Sequence, residues 1–136
     1  MTFRTRLTVR FGDEDHARIV YFPRFFHFFH VAFEDFFAAE IEPYRASLDA
    51  QVGWPAVHAE ADFLKQVRFG DVLEIGVAVE KVGKSSATFV YEGTVVGGDG
   101  PAVRGKIVVA CIDMATMRSQ PIPDRYRTVF EKHRSP

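Results

Sequence analysis

The sequence predicts an α+β fold, a five-stranded antiparallel sheet wrapped around one long buried helix. Residues 22–37 hold eight phenylalanines in sixteen positions, with a proline near the head and no glycine. From Gly53 onward the pattern changes to a period of two, rich in β-branched residues and cut by glycine-containing turns. The first residues alternate in the same way over Thr2–Arg10, with Phe3, Leu7 and Val9 set against Arg4, Arg6, Thr8 and Arg10.

The helix is predicted from Pro23 to about Glu40. Proline suits a first helical turn, where its missing N–H loses no bond. Phe22, Phe26, Phe29 and Phe33 recur at three- and four-residue spacing, and Phe25, Phe28, Val31, Ala32 and Phe36 fill much of the remaining circumference. A helix apolar nearly all round is a buried one. At about seventeen residues it falls short of the roughly 20 that span a bilayer. Pro43 prevents its continuation.

Residues 41–53 read as a connector with room for a helical turn. Strands are predicted over 55–67, 71–82, 85–96 and 102–113, with turns at Gly70-Asp71, Gly83-Lys84 and Gly97–Gly100. Strands joined by short turns pair antiparallel, because parallel pairs need a crossover. Gly76 and Gly105 are expected at bulges or close approaches. Pro121 and Pro123 introduce a short amphipathic helix over 123–132. With no repeat and no linker, residues 1–136 are expected to form a single domain. One sheet leaves open edges, so pairing with a second copy is expected, as a homodimer or a dimer of dimers.

Composition narrows the function. At 136 residues and 47% apolar content the chain has enough material for a real core. Its 17 basic and 18 acidic residues give a net charge of −1, without the electrostatic footprint of a nucleic-acid binder. A single cysteine, Cys111, excludes an internal disulfide and a cysteine-based metal cluster. No signal-like or membrane-spanning apolar run is present, so a cytoplasmic location is expected. His27, His30 and Glu34 share a helix face. They lack a clear fourth ligand, so neither a metal nor a redox cofactor is predicted.

Asp13, Glu14 and Asp15 stand just ahead of the apolar helix. Aspartates there serve as caps. Carboxylates also act as general bases or nucleophiles, and the free N–H groups of a helix head stabilise developing negative charge. On the 55–67 strand, Val57, Ala59 and Ala61 facing the helix would turn His58, Glu60 and Asp62 the other way. They form a solvated face, or else His58 or Glu60 reaches a site across an interface.

The head segment Phe11-Gly12-Asp13-Glu14-Asp15-His16-Ala17-Arg18-Ile19-Val20-Tyr21-Phe22-Pro23-Arg24-Phe25 resembles the motif of the hotdog-fold thioesterases, closest to the 4-hydroxybenzoyl-CoA thioesterase branch. Gly53-Trp54-Pro55, Phe63, Gly70-Asp71-Val72-Leu73, Gly83-Lys84-Ser85 and Pro121-Ile122-Pro123 keep the family's spacing through most of the chain. The resemblance implies a hotdog fold and hydrolysis of an acyl-CoA with an aryl or short-to-medium acyl group. It implies Asp15 as nucleophile or general base and the Phe22 backbone N–H as the group that polarises the thioester carbonyl. Lys84 and Ser85, in a tight turn, become candidates for the CoA phosphates, and His30 a polar contact at the acyl end. Arg18 departs from the family's glycine, and Phe22 stands where other branches carry histidine. Hydrolysis of an acyl carrier protein and non-catalytic acyl-CoA binding are the alternatives.

Overall fold

The structure, a computed structural model, describes residues 1–135. Its elements are β1 (Phe3–Thr8), α1 (Arg24–Glu40), α2 (Tyr44–Asp49), β2 (Val52–Gly53), β3 (Ala56–Phe63), β4 (Val72–Val82), β5 (Ser86–Val95), β6 (Val103–Ala110), β7 (Ile112–Asp113), β8 (Arg118–Ser119) and α3 (Asp124–Lys132). A five-stranded antiparallel sheet of order β1-β4-β5-β6-β3 wraps α1, as predicted. No helix among the described residues is long and apolar enough to cross a membrane.

Alternation places Leu73, Ile75, Val77 and Val79 of β4 on the helix side, all fully buried. Against them α1 lays Phe25, Phe28, Phe29, Ala32, Phe33, Phe36 and Phe37. Most of the phenylalanine run is therefore core. Phe29 stacks on Tyr91 with ring centroids 4.9 Å apart. A side chain on Gly105 would overlap the Phe29 ring, so this glycine marks the close approach of sheet and helix.

Three predictions are corrected. The 55–67 strand ends at Phe63, and β3 and β4 are not neighbours: β3 pairs with β6, while β4 pairs with β1. Residues 64–71 form a crossing segment, because Ala102 O accepts both Leu64 N–H and Lys65 N–H, and Val67 O turns to accept Val20 N–H at 2.8 Å. The last predicted strand stops at Ala110. Beyond it β2, β7 and β8 make a separate three-stranded sheet, where Gly53 gives Ile112 and Met114 room to approach. The bulges fall between Ala56 and His58 and between Val79 and Lys81, while Gly76 and Gly105 lie at close approaches, to the Thr2 side chain and to Phe29.

β3 is one of the two edge strands of this sheet, β1 being the other. Ala110 N–H donates to Pro55 O at 2.9 Å, and Leu64 N–H to Ala102 O at 2.8 Å. Between these bonds, past the bulge, His58, Glu60 and Asp62 direct their backbone groups into the sheet. Ala59 and Ala61 therefore direct theirs outward. On this edge Val57 is 64% and Phe63 47% exposed.

Candidate active site

The site begins where β1 ends. Phe11–Asp13 form a 3-10 turn, and the chain doubles back as a narrow clasp before α1. Tyr21 N–H donates to Asp13 O at 2.9 Å and Asp15 N–H to Ile19 O at 3.1 Å, flanking the antiparallel bridge of Glu14 and Val20. At its tip Arg18 N–H donates to Asp15 O at 2.9 Å. Arg18 has a φ of +63°, the left-handed conformation that favours glycine. Arginine takes it because the surrounding bonds over-determine the turn, including one at 3.1 Å from Arg68 Nη1 to Arg18 O. The change from the family's glycine thus leaves the turn closed.

Asp15 is exposed, and its Oδ1 accepts the Ala17 N–H at 2.8 Å, leaving Oδ2 without a protein donor among the described residues. Asp13, two residues earlier, is buried. Its Oδ2 accepts the Arg10 N–H at 2.8 Å, and its Oδ1 accepts Arg24 Nη2 at 2.7 Å and Nε at 3.1 Å. Burial pushes the Asp13 carboxyl up, but the Arg10 amide and the Arg24 guanidinium outweigh it and hold the group below the ordinary carboxylate range. Asp13 is a structural anchor of the loop. The Asp13–Arg24 pair escaped sequence reasoning; its one signal is a cation in the first turn of a helix.

Phe22 lies just before α1. Its neighbours' amides are occupied, Tyr21 N–H by Asp13 O and Arg24 N–H by Tyr21 O, but the Phe22 N–H has no acceptor among the described residues. The Phe22 ring is 57% exposed and packs edge-on against Phe63 at 5.9 Å. A cleft of about 260 Å³ opens beside it, lined by Ile19, Val20, Phe25, Leu64 and Lys65 among others.

The remaining predicted residues lie elsewhere in the protomer. His30 borders an apolar cavity of about 540 Å³ shared with Phe26, Tyr44, Trp54, Pro55 and Met114, and its Nε2 is 3.0 Å from Glu34. Lys84 and Ser85 occupy the β4–β5 turn, at the end of the sheet opposite the Asp15 clasp. Their carbonyls accept Ile122 N–H and Cys111 N–H, while their own N–H groups have no acceptor among the described residues. His58 Nε2 and Glu60 Oε1 are 3.0 Å apart on β3. Glu60 pairs in register with Lys106, on the sheet face turned away from α1. One protomer thus brings Asp15 and Phe22 into one clasp and leaves His30, His58, Glu60, Lys84 and Ser85 outside it.

Residues 9–130 match the Thioesterase-like superfamily. The chain is 33% identical to a 1,4-dihydroxy-2-naphthoyl-CoA hydrolase from Nostoc punctiforme, across 98% of this chain and 90% of that protein. It superposes on a thioesterase-superfamily structure from Jannaschia with a TM-score of 0.91 at 28% identity, covering 99% of this chain and 94% of the other. The fold is also that of a 1,4-dihydroxy-2-naphthoyl-CoA thioesterase from Synechocystis, with a TM-score of 0.89, 23% identity and full coverage of both chains.

Proposed function

The chain belongs to the thioesterase-like superfamily, and from that premise we propose that it hydrolyses an aryl-CoA through Asp15 and the Phe22 amide. It is a hotdog-fold acyl-CoA thioesterase. The observation that carries the finer reading is the clasp itself, which joins an accessible carboxylate to an unoccupied N–H at a helix head.

In this mechanism the thioester carbonyl oxygen accepts a hydrogen bond from the Phe22 N–H. The positive end of α1 adds to the stabilisation as negative charge develops there. The Asp15 carboxylate attacks the carbonyl carbon, or takes a proton from a water that attacks it. The C–S bond then breaks and CoA leaves as its thiol or thiolate. In the nucleophilic route water hydrolyses the resulting anhydride and releases the free acid. No metal or redox group is needed for either route.

The site is completed by a second copy. β3 runs from Ala56 at the Lys84 end of the sheet to Phe63 at the Asp15 end. Antiparallel pairing of two β3 edges sets the partner's Lys84–Ser85 turn, and the partner's cavity beside His30, at the same end as this protomer's Asp15. The open amides of that turn suit a phosphate, and Lys84 adds a point charge. The aromatic walls and volume of the cavity suit a flat acyl group. The 1,4-dihydroxy-2-naphthoyl group named for the Nostoc relative is of that kind, and His30 supplies a partner for a ring hydroxyl. We take the homodimer, or a dimer of dimers, as the working assembly.

Thiol release from benzoyl-, hydroxybenzoyl-, dihydroxynaphthoyl- and aliphatic CoA esters tests the reading, with Asp15→Asn beside the wild type. Wild-type turnover on an aryl ester, reduced at least 10²-fold in a folded Asp15→Asn variant, is the expected result. Variant turnover within threefold of wild type would remove Asp15 from the chemistry.

A further inference from the structure

Arg24 breaks a local rule. It is the first residue of α1, where the positive end of the helix dipole disfavours a cation. No side chain caps this helix, and Pro23 precedes it. The guanidinium is not left to solvent: Nε and Nη2 both converge on Asp13 Oδ1. Local rules broken without a gain in packing tend to mark functional positions.

The gain here is geometric. Asp13 holds four groups at once. Its Oδ2 takes the Arg10 N–H at the end of β1, and its Oδ1 takes two donors from the head of α1. Its carbonyl takes the N–H of Tyr21, the residue before Phe22. Two residues along the chain stands Asp15. One buried carboxylate therefore ties the strand that delivers Asp15 to the helix that delivers the Phe22 amide. The Arg24 guanidinium is the only side-chain donor to that carboxylate among the described residues.

We propose that Arg24 is a positioning residue for the hydrolysis, acting through Asp13 to set Asp15 against the Phe22 N–H. The proposal rests on the Asp15–Phe22 reading of the site. Without Arg24, Asp13 keeps its backbone donors and the clasp still forms. The helix head is then free to shift against it. Misplacement of a reacting group by about 1 Å lowers turnover by as much as 10²-fold, with little change in substrate binding.

The test is steady-state kinetics of Arg24→Ala, Arg24→Lys, Asp13→Asn and the double variant Asp13→Asn/Arg24→Ala. Melting curves establish that each is folded. Arg24→Ala is expected to lose roughly 10- to 100-fold in kcat with KM within about threefold of wild type. Arg24→Lys is expected to recover part of that loss, since the ammonium restores one charged donor. The double variant, which leaves no buried carboxylate unpaired, is expected to be no slower than the slower of the Arg24→Ala and Asp13→Asn single variants, the signature of two residues acting as one unit. If Arg24→Ala keeps kcat within twofold while Asp15→Asn is inactive, the proposal falls and the reading of the site stands. If Asp15→Asn is itself active, the reading falls, and the proposal with it. A rise in KM at unchanged kcat would overturn the proposal in favour of a substrate contact.

Discussion

At the scale of the residue, the clasp before α1 shows two aspartates two positions apart with different tasks. Asp13 is buried, fully engaged and held ionised by its partners. Asp15 faces outward with one carboxylate oxygen unengaged among the described residues. The difference lies in their partners: the head of α1 brings Arg24 onto Asp13, while Asp15 meets only the Ala17 amide of its own turn. Arg18 holds a left-handed conformation that suits glycine better, as Gln51 and Met117 do elsewhere in the chain. A left-handed non-glycine residue costs about 1–2 kcal/mol, and glycine loses about 0.5–1 kcal/mol more entropy on folding. Arg18→Gly is therefore expected to raise stability by about 0.5–1 kcal/mol in urea unfolding, because the Arg68 bond goes to the backbone carbonyl and survives. A loss of stability would show that the Arg18 side chain holds a contact of its own.

At the scale of the element, α1 serves as core and, in the proposed mechanism, as the scaffold of the reaction centre. The open Phe22 amide lies just ahead of its first turn, and its body fills the concave side of the sheet. Phe29 is fully buried between Tyr91 and the space left by Gly105. Phe29→Ala is expected to cost about 3–5 kcal/mol, because a stiff sheet cannot close over the void. Chemical denaturation measures this directly. A midpoint unchanged within error would mean that the helix and the sheet collapse together. The crossing segment 64–71 has a comparable double duty. By leaving β6 after Phe63 it carries Val67 to the back of the clasp, and one backbone bond ties the Asp15 loop to the far side of the sheet.

At the scale of the whole molecule, the proposed pairing of two copies rests on two features of the protomer. Its edge strand β3 exposes Val57, Phe63 and the outward backbone groups of Ala59 and Ala61, and its clasp lacks the cavity and basic turn that lie at the opposite end of the same sheet. In the proposed assembly, pairing of two β3 edges would supply both. Ala59→Pro separates this from the protomer's own stability, since the lost N–H points out of the sheet and breaks no bond within the chain. Sedimentation is expected to show a folded monomer in place of a dimer, with turnover lost. A variant that remains dimeric would place the interface elsewhere.

Periodicity was enough to find the long helix, every strand of the main sheet to within a few residues and the C-terminal helix, because each of these buries one face and its spacing shows it. The motif at residues 11–25 located the clasp for a similar reason. The backbone bonds within it join residues less than ten apart, so its path is largely a local property of the chain. Strand order, the small sheet of β2, β7 and β8, and the ion pair between Asp13 and Arg24 were not legible. Which strands neighbour one another depends on contacts between residues forty or more positions apart, as with β3 and β6 or β1 and β4, and a turn-like Gly-Asp pair at 70–71 looks the same before a hairpin as at the end of a crossing. Arg24 reads as one more surface cation until the fold curls Asp13 back over the helix head and excludes water from its carboxylate. The sequence by itself determined the elements and the acid loop. Tertiary packing decided which carboxylate was anchored and which strands were left at the edges of the sheet.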